Sequence, residues 1–342
     1  MIPFLNSNIN AQPETELKQA AFSVTQFEDA DRADWDAFIE RSKNATFLHK
    51  IDYLHYHKDR FPDCSLLLWK KGKLFALMPG TTEGNAFYTH KGLTYGGLLL
   101  LPDAKMEDVI ECFNAVNHFL QEKGIERVVY KAIPYIYAQL PAQEDEYALF
   151  RLDAKRISSG ISTTIQLDAR LPYHAMRKKA IKRAVQANLE IRLDAPIEDF
   201  WPILEGNLQK NFGVTPVHSL AEIKQLKAAF PENIRVYTAY KDDECVGGLL
   251  MYLTDRVSHL QYCAGSDKGK EQGALDLLFD FVITEAAKDK SYFDFGVSVE
   301  NGGHYLNKGL IAQKQGFGGR GVVYQQFEYR TANQIGDLKE EC

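Results

Sequence analysis

The chain has 342 residues, 45% of them hydrophobic and 25% charged, with a formal net charge of -6 and a pI near 5.9. That length suggests two domains, and the composition is that of an ordinary globular protein rather than a fibrous or low-complexity one. The acidic balance excludes a general DNA binder, whose footprint would be basic.

No apolar run reaches the roughly 18 residues that span a bilayer, and the start, MIPFLNSNINAQPETE, lacks the regions of a signal peptide. The five cysteines, Cys64, Cys112, Cys245, Cys263 and Cys342, are scattered and form no CxxC pair. That pattern argues against a metal site and against a disulfide framework, and for a reduced, cytoplasmic chain.

Residues 1–19 are polar and expected to be loosely held, as are 333–342. A strand is predicted over 22–27 and a helix over 31–42, where Trp35, Phe38 and Ile39 share one face. A second helix is predicted over 52–60, with His49, Lys50, His55 and His57 in or near it. A hairpin follows over 65–70 and 74–79, then a strand over 87–100 that contains HKGLTYGG. In 106–123, Met106, Val109, Ile110, Phe113, Val116 and Leu120 fall at helical spacing, and Gly124 is a natural stop. A strand is predicted over 125–133.

The middle is more polar. GISTTIQL (160–167) reads as a strand, and 172–187 as a basic helix with Arg177, Lys178, Lys179, Lys182 and Arg183. A strand over 190–193 and helices over 197–212 and 220–230 follow. The earlier order then recurs: a hairpin over 234–240 and 245–254, a strand over 258–265, a helix over 274–287 and a strand over 293–299. The offset is roughly 165–170 residues, far too long for a solenoid repeat, and reads as a tandem duplication. Short hairpin turns force antiparallel pairs, and a helix between the last two strands forces a parallel crossover. Two mixed α/β units are expected, over 20–160 and 161–332, each opening where its parallel strands diverge.

The stretch SYFDFGVSVENGGHYLNKGLIAQKQGFGG (291–319) has a turn at Asn301-Gly302-Gly303 and a predicted helix over 305–315. Gly316, Gly318 and Gly319 suit a sharp turn or a close backbone approach to a ligand.

The element order resembles the GNAT acyltransferase core, and its duplication resembles the FemABX-like group. The residues that carry this are GALDLLFDFVITEAAKDKSYFDFG (273–296) with KQGFGG (314–319), and LHKIDYLHYHKDRF (48–61) with THKGLTYGG (89–97) in the first unit. The resemblance implies two tandem GNAT-like units, an acyl or aminoacyl donor in the second, and an acceptor in the groove between them. It implies acyl-CoA as cosubstrate, with the phosphates at Gly265, Ser266, Lys268, Gly269, Lys270, Gly273 and Ala274. There KEQGAL stands where GNAT enzymes have Gln/Arg-x-x-Gly-x-Gly/Ala, departing at the first and last positions. The physical basis is a helix N-terminus whose free N–H groups face anions.

The tyrosine that many GNAT enzymes place four residues before the Gly-Phe pair is Ala312 here. Lys314 matches the lysine that the FemABX-like group uses instead. Glu300, Asp294 or a water is a candidate base. Tyr305 is expected two turns from Ala312 on one helical face, and groove wall fits it better than acid. His90, Tyr95, Gly96, Lys50, Tyr53 and Asn307 are candidate acceptor contacts, although a bulge is the plainer reading of HKGLTYGG. His55 and His57, two apart, do not form a metal pair on a helix.

The implied reaction is transfer of an acyl group from acyl-CoA to an amine, with cell-envelope or glycan precursors as the acceptor class. Two alternatives stay open. One is an aminoacyl-tRNA-dependent transferase acting on a peptidoglycan precursor, less favoured because no long helical arm is present. The other is a non-catalytic ligand-binding protein.

Overall fold

The structure is a computed structural model that describes residues 22–336. The expected loose tail at 1–19 lies outside the described residues. The first half of the chain contains β1 (Phe22–Gln26), α1 (Arg32–Arg41), α2 (Ile51–His55), β2 (Leu66–Lys70), β3 (Lys73–Met78), β4 (Thr81–Glu83), β5 (Ala86–Tyr88), β6 (Leu99–Leu100), α3 (Met106–Glu122), β7 (Arg127–Lys131), α4 (Glu144–Arg151) and β8 (Lys155–Gln166). The second contains α5 (Ala175–Gln186), β9 (Glu190–Leu193), α6 (Ile197–Phe212), α7 (Leu220–Ala229), β10 (Ile234–Lys241), β11 (Glu244–Leu253), β12 (Val257–Gly265), α8 (Asp267–Gln272), α9 (Ala274–Phe281), β13 (Tyr292–Val297), β14 (Val299–Glu300), β15 (Tyr305–Leu306), α10 (Lys308–Gln315) and β16 (Arg320–Arg330).

The repeat is present in three dimensions. Hairpins β2–β3 and β10–β11 are antiparallel, and the helix-bearing crossovers join parallel neighbours, β5 with β7 and β12 with β13. A four-stranded sheet has the order β1-β2-β3-β6, and a ten-stranded sheet the order β4-β5-β7-β16-β8-β13-β12-β11-β10-β9. The centre of the large sheet is an exchange. The closing strand of each half lies beside the other half's parallel strand: β16 pairs with β7, and β8 with β13, while β8 and β16 pair with each other. The boundary expected at residue 160 falls inside β8.

Packing follows the apolar pattern. The face of α3 read from the sequence, Val109, Ile110, Phe113, Val116 and Leu120, is buried in one core cluster. A second cluster joins the halves, where Phe47 and Tyr53 pack their rings against Phe230 and Tyr252. A third packs α9 against Phe293, Phe295 and Phe317. Asn333 and Ile335 are held by hydrogen bonds to Leu152 O and Asn114 Oδ1 at 2.7 and 2.9 Å, so residues 333–336 are pinned. The remainder of the tail expected from 333 lies outside the described residues.

Three local expectations are corrected. The strand expected over 87–100 is broken: β5 and β6 are separated by a loop, because His90 (φ 63°) and Gly97 (φ 73°) turn the chain. Apart from the exposed Lys91 and Thr94 this loop packs inward, and a Cβ on Gly92 would lie 2.1 Å from His57 Nε2. The helix expected over 305–315 begins only at Lys308, since Asn307 caps it, its Oδ1 accepting from Leu310 N at 3.0 Å. Tyr305 precedes that cap and pairs with Glu300 in the β14–β15 ribbon, so it shares no helical face with Ala312. The helix expected over 52–60 is α2 followed by turns.

Four histidines are enclosed, and burial depresses them all: His49 and His90 to about 3, His57 and His218 to about 4. Because their folded values lie below 6.5, the unfolded chain binds more protons in acid, and stability drains away as pH falls from about 6.5 towards 4. By pH 5 the loss is about 2 kcal/mol for each histidine. We expect urea midpoints to drop over that range. His90→Asn, which tolerates a positive φ, should flatten the slope by about one proton. An unchanged slope would contradict the assignment.

Candidate active site

β12 and β13 pair only over Val257–His259 and Tyr292–Asp294, and then part. A bulge in the β11–β12 ladder, where Leu250 faces Tyr262 and Met251 faces Leu260, leaves Gln261 as the extra residue beside the gap.

Lys314 enters this gap from α10. It is buried, and its ammonium donates to Gly296 O at 2.8 Å and Val297 O at 2.9 Å. Burial pushes it down to about 8, with Cys263 and Asp294 nearby acting in the opposite sense. The following turn sets its position. Phe317 is fully buried against Phe279, Phe295 and Tyr173, and Arg177 lies 5.7 Å above its ring. Gly318 has φ 89°, and a Cβ there would meet Leu171 O at 2.5 Å. The glycines of this turn are thus explained by the turn and its packing.

At the base of the gap the Asp294 carboxylate is fully buried and saturated. Oδ1 accepts from Ser162 Oγ and from Thr164 Oγ1 at 2.7 Å. Oδ2 accepts from His259 Nδ1 and from Tyr324 OH, both at 2.8 Å. Burial opposes the charge. The hydrogen bond and charge interaction with His259 and the two hydroxyls outweigh it and hold the carboxyl below its usual value. Tyr137 OH lies 2.8 Å from Tyr324 OH and 3.3 Å from His259 Nδ1, and its ring stacks 4.5 Å from Tyr95.

Next to the gap, α5 faces the α8–α9 turn across a cleft of about 520 Å³, lined by Arg177, Lys179, Arg183, Lys270, Gly273 and Gln313 among others. Gly273 (φ 84°) lets α5 approach, since a Cβ would meet Ala180 O at 2.5 Å. The one carboxylate of the lining, Asp276, is paired with Arg177 at 2.7 Å. This set of cations fits a phosphate-bearing donor.

The residues singled out in the sequence divide by place. Of Gly265, Ser266, Gly269, Lys270, Gly273 and Ala274, Lys270 and Gly273 line the cleft; the Ser266 hydroxyl is taken by Gly269 N, and Gly269 packs against Val246. Lys268 points elsewhere, to Glu244 at 2.6 Å. Glu300 and Tyr305 are exposed in the ribbon and hydrogen-bond to neither Lys314 nor Asp294.

His90 is fully enclosed, so an acceptor reaches it only if its loop moves. Tyr95 is buried with its OH 3.2 Å from Thr46 Oγ1, and Gly96 lies against Thr89 O. Lys50 pairs with Glu40, and Tyr53 is buried 3.4 Å from Tyr252 OH. Sequence reasoning missed His259, Tyr137 and Tyr324. No signal in the chain links residues so far apart, although DFG (294–296) marks one end of the network.

Among the described residues no group of three or more His, Cys, Asp or Glu is arranged to hold a metal ion, and no helix is long and apolar enough to cross a membrane. Asp294→Ala should destabilise the protein by about 3–5 kcal/mol in urea titrations, because four buried donors lose their acceptor. Ser162→Ala should cost about 1 kcal/mol. Equal effects would show that the carboxylate is not the organising group.

Comparison with known proteins agrees with this geometry. Residues 175–305 match the family model described as acetyltransferase (GNAT) domain. The crystal structure of FemX superposes with a TM-score of 0.64 at 9% identity, covering 90% of this chain and 97% of that one. L-PGS from Bacillus licheniformis gives 0.60 at 14% identity, covering 89% and 93%. The C-terminal domain of a putative lysylphosphatidylglycerol synthetase from Agrobacterium fabrum gives 0.58 at 11%, covering 90% and 93%. No curated protein matches the sequence. Residues 175–305 therefore resemble a GNAT domain, and the chain as a whole shares the fold of FemX.

Proposed function

We propose that the protein transfers an acyl group from acyl-CoA to an amine, with a cell-envelope or glycan precursor as the acceptor class and the cytoplasm as its place of action. The observation that carries this reading is Lys314, a buried ammonium held at the parting of β12 and β13. The cleft beside it would hold the donor's phosphates through Arg177, Lys179, Arg183 and Lys270. Gln313, adjacent to Lys314, lines the same cleft, so a donor anchored there is within reach of the gap.

Acyl transfer to an amine develops negative charge on the carbonyl oxygen and then on the departing sulfur. A lysine pushed down to about 8 is charged at neutral pH and gives up its proton readily, which suits both needs.

A second reading, with aminoacyl-tRNA as donor, is favoured by Lys178, Lys179, Lys182 and Arg183. They form an exposed cationic face that extends past the cleft and exceeds what one diphosphate requires.

Two measurements separate the readings. Acetyl-CoA at a hundredfold excess over its Kd should stabilise the protein by about 2.7 kcal/mol. Thiol release across a panel of primary amines should fall above about pH 8, as Lys314 loses its charge. Lys314→Met should lower that release by about 10²–10³-fold and leave the stabilisation by CoA intact. Stabilisation by tRNA, with none by CoA, would favour the second reading.

A further inference from the structure

We propose that His259, oriented by Asp294, is the general base that takes the proton from the acceptor amine. This rests on the acyl-transfer reading above and names the group that this reading leaves open.

Asp294 lies where charge is most costly, fully buried between β8 and β12, and all four of its acceptor positions are filled. As an acceptor it requires a proton on His259 Nδ1, which leaves Nε2 as the ring atom that can take or give a proton. That atom has no hydrogen-bond partner among the described residues, yet it is not among the buried atoms that lack one, and the side chain is 14% exposed. Nε2 is therefore open at the gap.

Gly296 flanks the ring. A Cβ there would lie 3.5 Å from His259 Cε1, so the absence of a side chain keeps the imidazole accessible. The same Gly296 holds Lys314 through its carbonyl oxygen at 2.8 Å. One residue thus lies against both the proposed base and Lys314.

The ionisable groups that face the ring are Asp294 from β13, Tyr137 from the segment after β7, and Tyr324 from β16, with Lys314 across Gly296. Tyr324 and Tyr137 donate along a chain to Asp294 and act as positioning residues. The arrangement is that of an imidazole fixed by a carboxylate, which orients the ring and stabilises the charge it gains on accepting a proton.

In the step, the amine nitrogen attacks the thioester carbonyl and a C–N bond forms. The nitrogen's proton passes to His259 Nε2. The C–S bond then breaks, the thiolate takes a proton from the Lys314 ammonium, His259 gives its proton to water, and Lys314 takes one back from water, which restores both groups.

The test uses the full chain with acetyl-CoA and whichever primary amine gives the fastest thiol release. His259→Gln should lower kcat/KM by about 10²–10⁴-fold, remove the acidic limb of the pH profile and leave stabilisation by CoA unchanged. Nitrogen-15 NMR of histidine-labelled protein should show the Nδ1–H tautomer at His259, lost in Asp294→Asn. Wild-type protein that turns over while His259→Gln keeps its rate and pH profile would overturn the base and spare the acyltransferase. So would an Nε2–H tautomer in the wild type. A wild type that releases no thiol with any amine would defeat both.

Discussion

The burial of one carboxylate governs the centre of this molecule. Asp294 has no access to water, and an isolated ionised carboxylate in such a place is prohibitive. It is tolerated because two hydroxyls from β8, an imidazole from β12 and a phenol from β16 converge on it. Those strands come from both halves of the chain, and Tyr137 adds a link to the segment after β7. The network is satisfied only when the halves have exchanged their closing strands. The polar centre and the strand exchange are therefore two aspects of one constraint: neither half can build the site alone.

A rigid base leaves the neighbouring groups little freedom. The apolar side of β13 is fixed by Phe293 and Phe295, whose ring centroids lie 4.7 Å apart, and Phe317 joins the same cluster. Phe317 is thus an anchor for α10, and through it Lys314 is aimed at the carbonyls of Gly296 and Val297. Aromatic packing on one face and a hydrogen-bonded carboxylate on the other hold β13 from both sides at the point where it leaves β12.

Much of this was legible in the sequence, and the losses have physical causes. Both hairpins, the face of α3, and the strand–helix–strand order of each half follow from periodicity. Asp294 alternates with Phe293 and Phe295, a pattern that marks a wet face only where a strand has one, and in β13 all three residues are buried. His259 lies 35 residues from Asp294 and Tyr137 lies 122 from His259, so no local pattern could join them. α4 escaped notice because Tyr147 and Phe150 are exposed and blur its apolar stripe. The polar start of β8 escaped because its partner, β16, is at the other end of the chain. HKGLTYGG suggested a contact surface, and its glycines serve burial instead.

The two halves share one plan, and they differ at the ends of their parallel strands. In the first, the end of β7 beyond its pairing with β5 is covered by the loop between β5 and β6: Gly96 N donates to Lys131 O at 3.2 Å, and Thr89 Oγ1 accepts from Lys131 N at 2.8 Å. Lys131 reaches the carbonyls of Lys91 and Leu93, and burial pushes it down to about 8, as it does Lys314. Each half therefore places a partly desolvated lysine on backbone carbonyls beside its parallel strand. Only in the second does that lysine sit next to an unfilled gap, an accessible imidazole and a basic cleft. The loop that fills the first gap also presses Tyr95 onto Tyr137. The half that has lost its own opening thereby helps to hold the imidazole in the other.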